Sequence, residues 1–161
     1  MSSAPAGTVY DAAGGAEGLL ALAHAWHSRC LADAEAAHPF EHGNHPQHLE
    51  RLAAYWGEAL GGPATYSSSM GDESEVLRMH ACNGPHASLD AAALACFDAA
   101  LSDVGITTDP LRATLHAYFA EGIERMAAHP DSTDDIPDGL AVPQWSWAGP
   151  TAPSVGPRRR G

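Results

Sequence analysis

The segment HLERLAAYWGEALGGP, residues 48–63, combines one apolar helix face with a strong helix stop. At 3.6 residues per turn, one side of this segment carries His48, Leu52, Tyr55 and Ala59. The two glycines followed by Pro63 are typical of a helix C-terminus. The pattern therefore predicts a helix over residues 47–60 that packs on a core and presents His48 at the rim of that core.

Helical periodicity dominates the rest of the chain as well, and we find neither strand-like alternation nor an internal repeat. Further helices are predicted over residues 17–31, 74–82, 88–104 and 110–127. The last of them follows Asp109 and Pro110, a pair that suits an N-cap and a first helical turn. We therefore expect an all-α fold with about five helices.

The two ends of the chain differ in composition from its middle. We expect residues 1–8 to be a flexible tail and residues 9–129 to form one domain with a core of its own. Residues 130–161 form a proline-rich extension that contains Trp145 and Trp147. The tryptophans are candidates for docking on the domain, and the end of the extension is expected to be disordered.

Charge and cysteine content restrict the partners and the compartment. The chain carries 8 basic and 20 acidic residues, a formal net charge of −12. That charge argues against binding to nucleic acid or to an anionic membrane surface, because both need a basic face. Cys30, Cys82 and Cys96 have no paired spacing that would indicate a disulfide framework or a metal site. Without a signal-peptide pattern or a membrane-spanning segment, we expect a cytoplasmic protein.

The ten histidines are unevenly distributed. Four of them precede or begin the second long helix: His38, His42, His45 and His48. His27 lies among apolar residues of the first long helix, and His80 is expected to point inward at the end of a short one. One such histidine is usually a core or rim residue with a hydrogen-bond partner. Three such histidines on three different helices (His27, His48 and His80) are more than this explanation predicts. A neutral imidazole is also a common ligand of metals and of haem iron.

A structural zinc site is the first alternative. The motifs HPQH (45–48) and MHAC (79–82) offer nitrogen and sulfur ligands. However, no predicted helix carries two histidines four residues apart, and Pro46 interrupts the first motif. The spacing of these residues therefore argues against a structural zinc site.

Several segments occur in an order that is typical of one known family. They are VYDAAGG (9–15), AWH (25–27), HPF (38–40), RLAAYWGEALGGPATYS (51–67), LRMH (77–80) and ACF (95–97). Their order resembles that of the truncated haemoglobins, most closely group II in its actinobacterial form. The resemblance extends from about Val9 to Ala127. It implies a two-over-two helical sandwich around a b-type haem.

The resemblance also implies an iron ligand. His80 matches the proximal histidine of the family, and its other ring nitrogen is expected to be oriented by a carbonyl or by water near the helix end at Asn83 and Gly84. His86, which follows the helix stop, is the alternative ligand, although choosing it would require a gap in the match.

Haem is a flat apolar group with two carboxylates, so it needs an apolar slot and a cation at the rim. The predicted haem-contacting residues are Phe40, His48, Arg51, Leu52, Tyr55, Tyr66 and Phe97. By resemblance, Phe40 packs on the haem face, and Arg51 pairs with a propionate. His48 and Leu52 match positions that face the bound ligand.

Two positions depart from the group II pattern. His27 stands where the family usually has a tyrosine, and Ala93 stands where group II has a tryptophan. The resemblance therefore implies a roomier pocket in which His27 and His48 supply the hydrogen bonds. Either histidine could donate to the bound ligand or coordinate the iron itself.

The leading hypothesis is a haem globin that reversibly binds oxygen or another diatomic ligand. The alternative is a haem enzyme on the same fold that carries out NO dioxygenation, peroxidase-like turnover or oxidation of a small substrate. His48 and His27 would then act as catalytic acid and base. A third hypothesis is a binding module that has lost haem. A reductase is a candidate electron donor, and the chain is expected to be a monomer or a homodimer.

Overall fold

The computed structural model describes residues 5–40, 46–82 and 86–151. These residues form seven α-helices: α1 (Val9–Ala12), α2 (Gly15–Leu31), α3 (His48–Ala59), α4 (Thr65–Ser69), α5 (Glu73–His80), α6 (Ala87–Asp103) and α7 (Leu111–Met126). A 3-10 helix (His38–Phe40) lies between α2 and α3. After α7, the two-residue strands β1 (Trp145–Ser146) and β2 (Gly149–Pro150) pair antiparallel.

The all-α prediction is confirmed, and the five predicted helices correspond to α2, α3, α5, α6 and α7. Their ends agree with the prediction to within about two residues. The sequence analysis missed α1, α4 and the strand pair, because such short elements show no measurable periodicity. A capping box begins α1 instead: Thr8 Oγ1 accepts from the Asp11 amide, and the Asp11 carboxylate accepts from the Thr8 amide.

The turn after α3 depends on its two glycines. Gly61 has a φ of +100°, in the left-handed region that favours glycine. The Gly62 amide donates to the carbonyl of Gly57 over 2.8 Å, and a Cβ at Gly62 would lie 2.6 Å from a ring carbon of Tyr10. The two glycines that end α3 therefore also allow α1 to pack closely against this turn.

The helices pack as two pairs. α2 packs against α3, α6 packs against α7, and the contact between α2 and α6 joins the pairs, which is the predicted two-over-two arrangement. The fully buried leucines of the core are Leu19, Leu22, Leu60, Leu101 and Leu115. Each such side chain contributes about 1.5–3 kcal/mol through burial. Within the described residues, no helix is long and apolar enough to cross a membrane.

The chain beyond α7 packs on the domain. The Ser74 hydroxyl donates to the carbonyl of Pro137 over 2.6 Å and accepts from the amide of Leu140 over 2.9 Å. Trp145 is 7 % exposed, and its ring meets the ring of Tyr118 edge-on at 5.6 Å. Docking of this tryptophan therefore agrees with the sequence analysis. Residues 152–161, for which disorder was predicted, lie outside the described residues.

Replacement of Trp145 by alanine should destabilise the protein by about 3 kcal/mol, because it empties a buried aromatic site. The control is Trp147→Ala, since Trp147 is only half-buried and is held by one hydrogen bond from its indole N–H to the carbonyl of Gly7. That control should lose about 1 kcal/mol. Urea unfolding of both variants measures the difference, and equal losses would contradict docking through Trp145.

Candidate functional site

Two of the predicted histidines and the predicted aromatic residue meet between α2 and α3. The His27 ring on α2 lies 5.0 Å from the Phe40 ring and 6.0 Å from the His48 ring. The Phe40 and His48 rings are 5.7 Å apart. Phe40 ends the 3-10 helix and His48 begins α3, so the ends of two elements bring their side chains against α2. We call these three residues the His/Phe cluster.

His27 carries a buried ring nitrogen whose hydrogen-bonding capacity is not used. Its Nε2 has no hydrogen-bond partner among the residues that the structure describes. A buried polar atom without a partner costs about 1–3 kcal/mol, so native proteins usually provide one. The atom therefore marks a point at which a polar ligand or a water molecule can be bound.

His80 is the last residue of α5 and is exposed in the described chain, whereas the sequence analysis expected it to point inward. The buried side of this short helix is formed by other residues, such as Ser74 and Leu77. The Nδ1 atom of His80 lies 2.8 Å from the carbonyl oxygen of Val76, one turn earlier. If Nδ1 carries the proton, it donates to this carbonyl and Nε2 carries the lone pair that a metal needs.

His80 and His86 are the two candidate iron ligands, and they differ in the groups that orient their rings. The Nδ1 atom of His86 lies 2.8 Å from a carboxylate oxygen of Asp90, so its ring is oriented as well. Residues 83–85, at which the sequence analysis expected the orienting carbonyl, lie outside the described residues. The carbonyl that orients His80 belongs instead to the helix itself.

Three other predicted residues, on α3 and α4, form a second group. An Nη atom of Arg51 donates to the carbonyl of Met70 over 2.9 Å, and its guanidinium lies 5.9 Å above the ring of Tyr66. The rings of Tyr55 and Tyr66 meet edge-on at 5.3 Å. Tyr55 and Tyr66 are buried and Arg51 is half-buried. This group is a separate site from the His/Phe cluster.

A buried ion-pair network, which we define as Tyr55, Glu73, Glu121 and Arg125, joins α3, α5 and α7. The Tyr55 hydroxyl donates to Glu73 over 2.5 Å, and Arg125 Nε donates to the other carboxylate oxygen over 3.0 Å. Burial raises the pKa of Tyr55 well above its usual value, so the hydroxyl keeps the proton that it donates. The sequence analysis missed Glu73 and Arg125, because each resembles an ordinary charged residue at a helix end.

Phe97 lies in the aromatic core and Leu52 is partly buried against that core. The Phe97 ring is stacked on Phe119 at 4.1 Å and meets Trp56 edge-on at 5.6 Å. Beside Ala93, where the resemblance implied extra room, the indole N–H of Trp26 donates to the Ala93 carbonyl over 3.1 Å. This indole therefore occupies part of the region and directs its donor to the backbone.

The described residues contain no competing metal site. No group of three or more histidine, cysteine, aspartate or glutamate side chains in this part of the chain could hold a metal ion. His45, part of the first zinc motif, lies outside the described residues. A cavity of about 240 Å³ adjoins α3, but its lining residues, among them Tyr10, Leu20 and Met70, do not include the predicted histidines.

Comparisons with a family model and with solved structures both indicate a globin. The family model of the bacterial-like globins matches residues 8–127. Similar solved structures include the haemoglobin of Chloroflexus aurantiacus, a thermophilic phototrophic bacterium, with a TM-score of 0.65 and 25 % identity over 74 % of this chain and 97 % of that chain. A thermostable haemoglobin of the actinobacterium Thermobifida fusca is also similar, with a TM-score of 0.63 and 26 % identity over 78 % of this chain and 100 % of that chain.

The group II truncated haemoglobin of Bacillus anthracis has the same fold, with a TM-score of 0.66 and 20 % identity over 82 % of this chain and 99 % of that chain. None of the curated proteins matches the chain.

Replacement of Glu73 by glutamine should destabilise the protein by about 3 kcal/mol, because Arg125 would lose a buried counter-charge. The Glu73 side chain is 3 % exposed and that of Arg125 is 20 % exposed. The matched control is Glu121→Gln, whose side chain is 39 % exposed and which should cost less than about 1 kcal/mol. Denaturant midpoints measure both. A Glu73→Gln variant as stable as the control would contradict a structural role for the network.

Proposed function

This chain belongs to the bacterial-like globin family, and from that membership we propose its function. The chain holds a haem in a truncated globin fold and reversibly binds oxygen or another small diatomic ligand such as NO or CO. One observation carries the ligand-binding part of this proposal: the His/Phe cluster contains a buried ring nitrogen of His27 with no partner among the described residues. Residues 9–129 are the functional domain in this proposal.

The chemistry of the side chains around His80 fits haem. Met79 is 67 % exposed and the adjacent His80 is exposed as well. In this proposal the exposed Met79 side chain adds apolar contact area next to the imidazole for a flat apolar group with a central metal. The chain contains no CxxCH motif for covalent attachment, which supports a non-covalently held haem of the b type.

We assign the iron ligand to His80. When bound, haem supplies an iron centre that takes up the diatomic ligand. The Val76 carbonyl, 2.8 Å from Nδ1, fixes the orientation of the His80 ring and places the lone pair on Nε2. Because both residues belong to α5, the rigidity of this helix determines the direction of the ligand atom.

The His/Phe cluster supplies the polar contacts of the ligand in this proposal. With its proton on Nε2, His27 donates a hydrogen bond to the polar end of the ligand and thereby satisfies its own buried nitrogen. His48 is the second donor, and the Phe40 ring keeps water away from both. Donation by a histidine stabilises a polar ligand such as oxygen more than an almost apolar one such as CO.

Arg51 is the proposed partner of a haem propionate. An arginine has five N–H donors in a planar fork, so it can bind a carboxylate in addition to the Met70 carbonyl. Its position above the Tyr66 ring restricts the directions that the guanidinium can take. In this proposal Tyr55 and Tyr66 support Arg51, and Leu52 and Phe97 form apolar walls.

A second candidate function is a haem enzyme that carries out NO dioxygenation, peroxidase-like turnover or oxidation of a small substrate. The observation that favours it is the proximity of two histidine rings, 6.0 Å apart, on one side of the site. Such a pair can accept a proton and return it at a different atom. This function would need a reductase as electron donor. We propose a cytoplasmic location, and a monomer or homodimer, for either function.

Replacement of His80 by alanine should abolish the Soret band of a histidine-ligated haem after titration with haemin, because the iron loses its protein ligand. Added imidazole should restore the band. The control is His86→Ala, which should keep the wild-type spectrum, and circular dichroism verifies the fold of both. Loss of the band in His86→Ala with retention in His80→Ala would move the assignment to His86.

Replacement of His27 or His48 by leucine should accelerate oxygen dissociation about tenfold, because one hydrogen bond to the ligand contributes about 1.4 kcal/mol. CO dissociation should change far less. The control is His24→Leu, an exposed histidine of the same helix. Stopped-flow measurements on all three variants test the globin function. A loss of peroxide or NO turnover in the first two variants, with oxygen dissociation unchanged, would favour the enzyme instead.

A further inference from the structure

Two of the three cysteines meet in the core. Cys30, near the end of α2, is 1 % exposed, and Cys96, in the middle of α6, is 7 % exposed. With Ala36 they form a small buried cluster of their own, which we call the cysteine cluster. The two thiols therefore belong to the same buried cluster although they come from different helices. Cys82, the third cysteine, is exposed.

The cysteine cluster adjoins the His/Phe cluster through Phe40, which contacts both. Trp26, Phe40 and Ala92 are the partly buried residues that pack against it. Phe40 is also the ring that meets His27 at 5.0 Å. A change in the bonding between the two sulfur atoms would therefore act on a wall of the proposed ligand site and on the junction between the two helix pairs.

We propose that Cys30 and Cys96 are an oxidisable dithiol that closes to a disulfide between α2 and α6 when the protein meets a small peroxide. Two facts of geometry support this: the side chains are in the same buried cluster, and they come from two helices whose packing already brings their backbones together. Closure requires the two sulfur atoms to approach to a bond length of about 2.05 Å.

The chemistry balances with one equivalent of hydrogen peroxide. Cys96, the more exposed of the two, attacks one peroxide oxygen as the thiolate, so that the O–O bond breaks, its sulfur becomes a sulfenic acid, and hydroxide leaves and takes up a proton to give water. The sulfur of Cys30 then attacks that sulfenic sulfur. An S–S bond forms, the S–OH bond breaks, and the thiol proton of Cys30 leaves with the hydroxyl group as a second water molecule. Both thiols are oxidised, and the peroxide is reduced.

Burial determines how readily this pair reacts. Burial raises the pKa of the Cys30 thiol, and it raises that of Cys96, next to which Arg29 acts in the opposite direction. The thiolate is the reactive form, so the pair remains reduced under mild conditions and closes only under sustained peroxide. A peroxide molecule is small enough to enter the core during local opening, whereas a bulky oxidant is excluded.

The expected consequence of the disulfide is a covalent link between the two helix pairs. A disulfide between residues distant in sequence constrains the unfolded chain strongly. For a protein of this size the melting temperature should rise by about 10 °C. This consequence does not depend on haem, so the inference stands apart from the proposed function.

The test uses the full chain with Cys82→Ser, so that only Cys30 and Cys96 can react. After treatment with hydrogen peroxide, intact mass should fall by about 2 Da, the two hydrogens lost on disulfide formation. A non-reducing tryptic map should link the peptide that contains Cys30 to the one that contains Cys96. Because haem also consumes peroxide, a parallel sample is treated with diamide, which forms the same disulfide through a thiol adduct and is reduced to the hydrazine. The melting temperature is measured before oxidation, after it, and after reduction with dithiothreitol.

The matched controls are Cys30→Ser and Cys96→Ser in the same background, which should show neither the mass loss nor the rise in melting temperature. The proposal is overturned if both thiols of the Cys82→Ser protein can still be alkylated after oxidation and unfolding. It is also overturned if they gain oxygen as sulfinic acids without a link, or if the linked protein melts no higher than the reduced one. All three results can be read from the Cys82→Ser protein alone, so they hold even if a control variant fails to fold.

Discussion

The position of one side chain, Trp26, connects most of this structure. Its indole lies within about 6 Å, ring centre to ring centre, of rings on three other elements: Phe40, Trp56 and Phe119. Its N–H donates to the backbone carbonyl of Ala93 on α6. The 3-10 helix and helices α2, α3, α6 and α7 therefore meet at one residue. The hydrogen bond from the Trp26 N–H to the Ala93 carbonyl therefore connects α2 directly to α6.

The same constraint shapes the proposed haem site. Because Trp26 fixes α2, its neighbour His27 is held against the rings of Phe40 and His48. The buried ion-pair network connects α3 to α5 through Glu73, at the opposite end of α5 from His80. Trp26 and Glu73 thus help to position the two helices that carry the histidines with the clearest proposed roles. Such indirect positioning is common where a ligand atom must keep one orientation.

Some features of the fold and of the candidate site could be predicted from the sequence, and others required the tertiary structure. The long helices could be predicted, since apolar residues at helical spacing indicate both the element and its buried face. His27, Phe40 and His48 could be selected as candidates, and the structure places them together. His80 was expected to point inward but is exposed in the described chain, and the other side of α5 is buried by the extension after α7, as the packing of Leu77 and Ala81 on Ile136 illustrates. Nothing in a local pattern reveals such a distant partner.

By itself, the sequence determined the helical class, the helix ends and the resemblance to the truncated haemoglobins, because local periodicity, glycine and proline signals and motif order are properties of neighbouring residues. Only the tertiary structure decided which side chains meet across the fold. The contact of Cys30 with Cys96, the ion pair of Glu73 with Arg125 and the docking of Trp145 on Tyr118 all join residues far apart in the chain. Their partners are selected by the packing of whole helices, and a spacing rule along the chain carries no information about that packing.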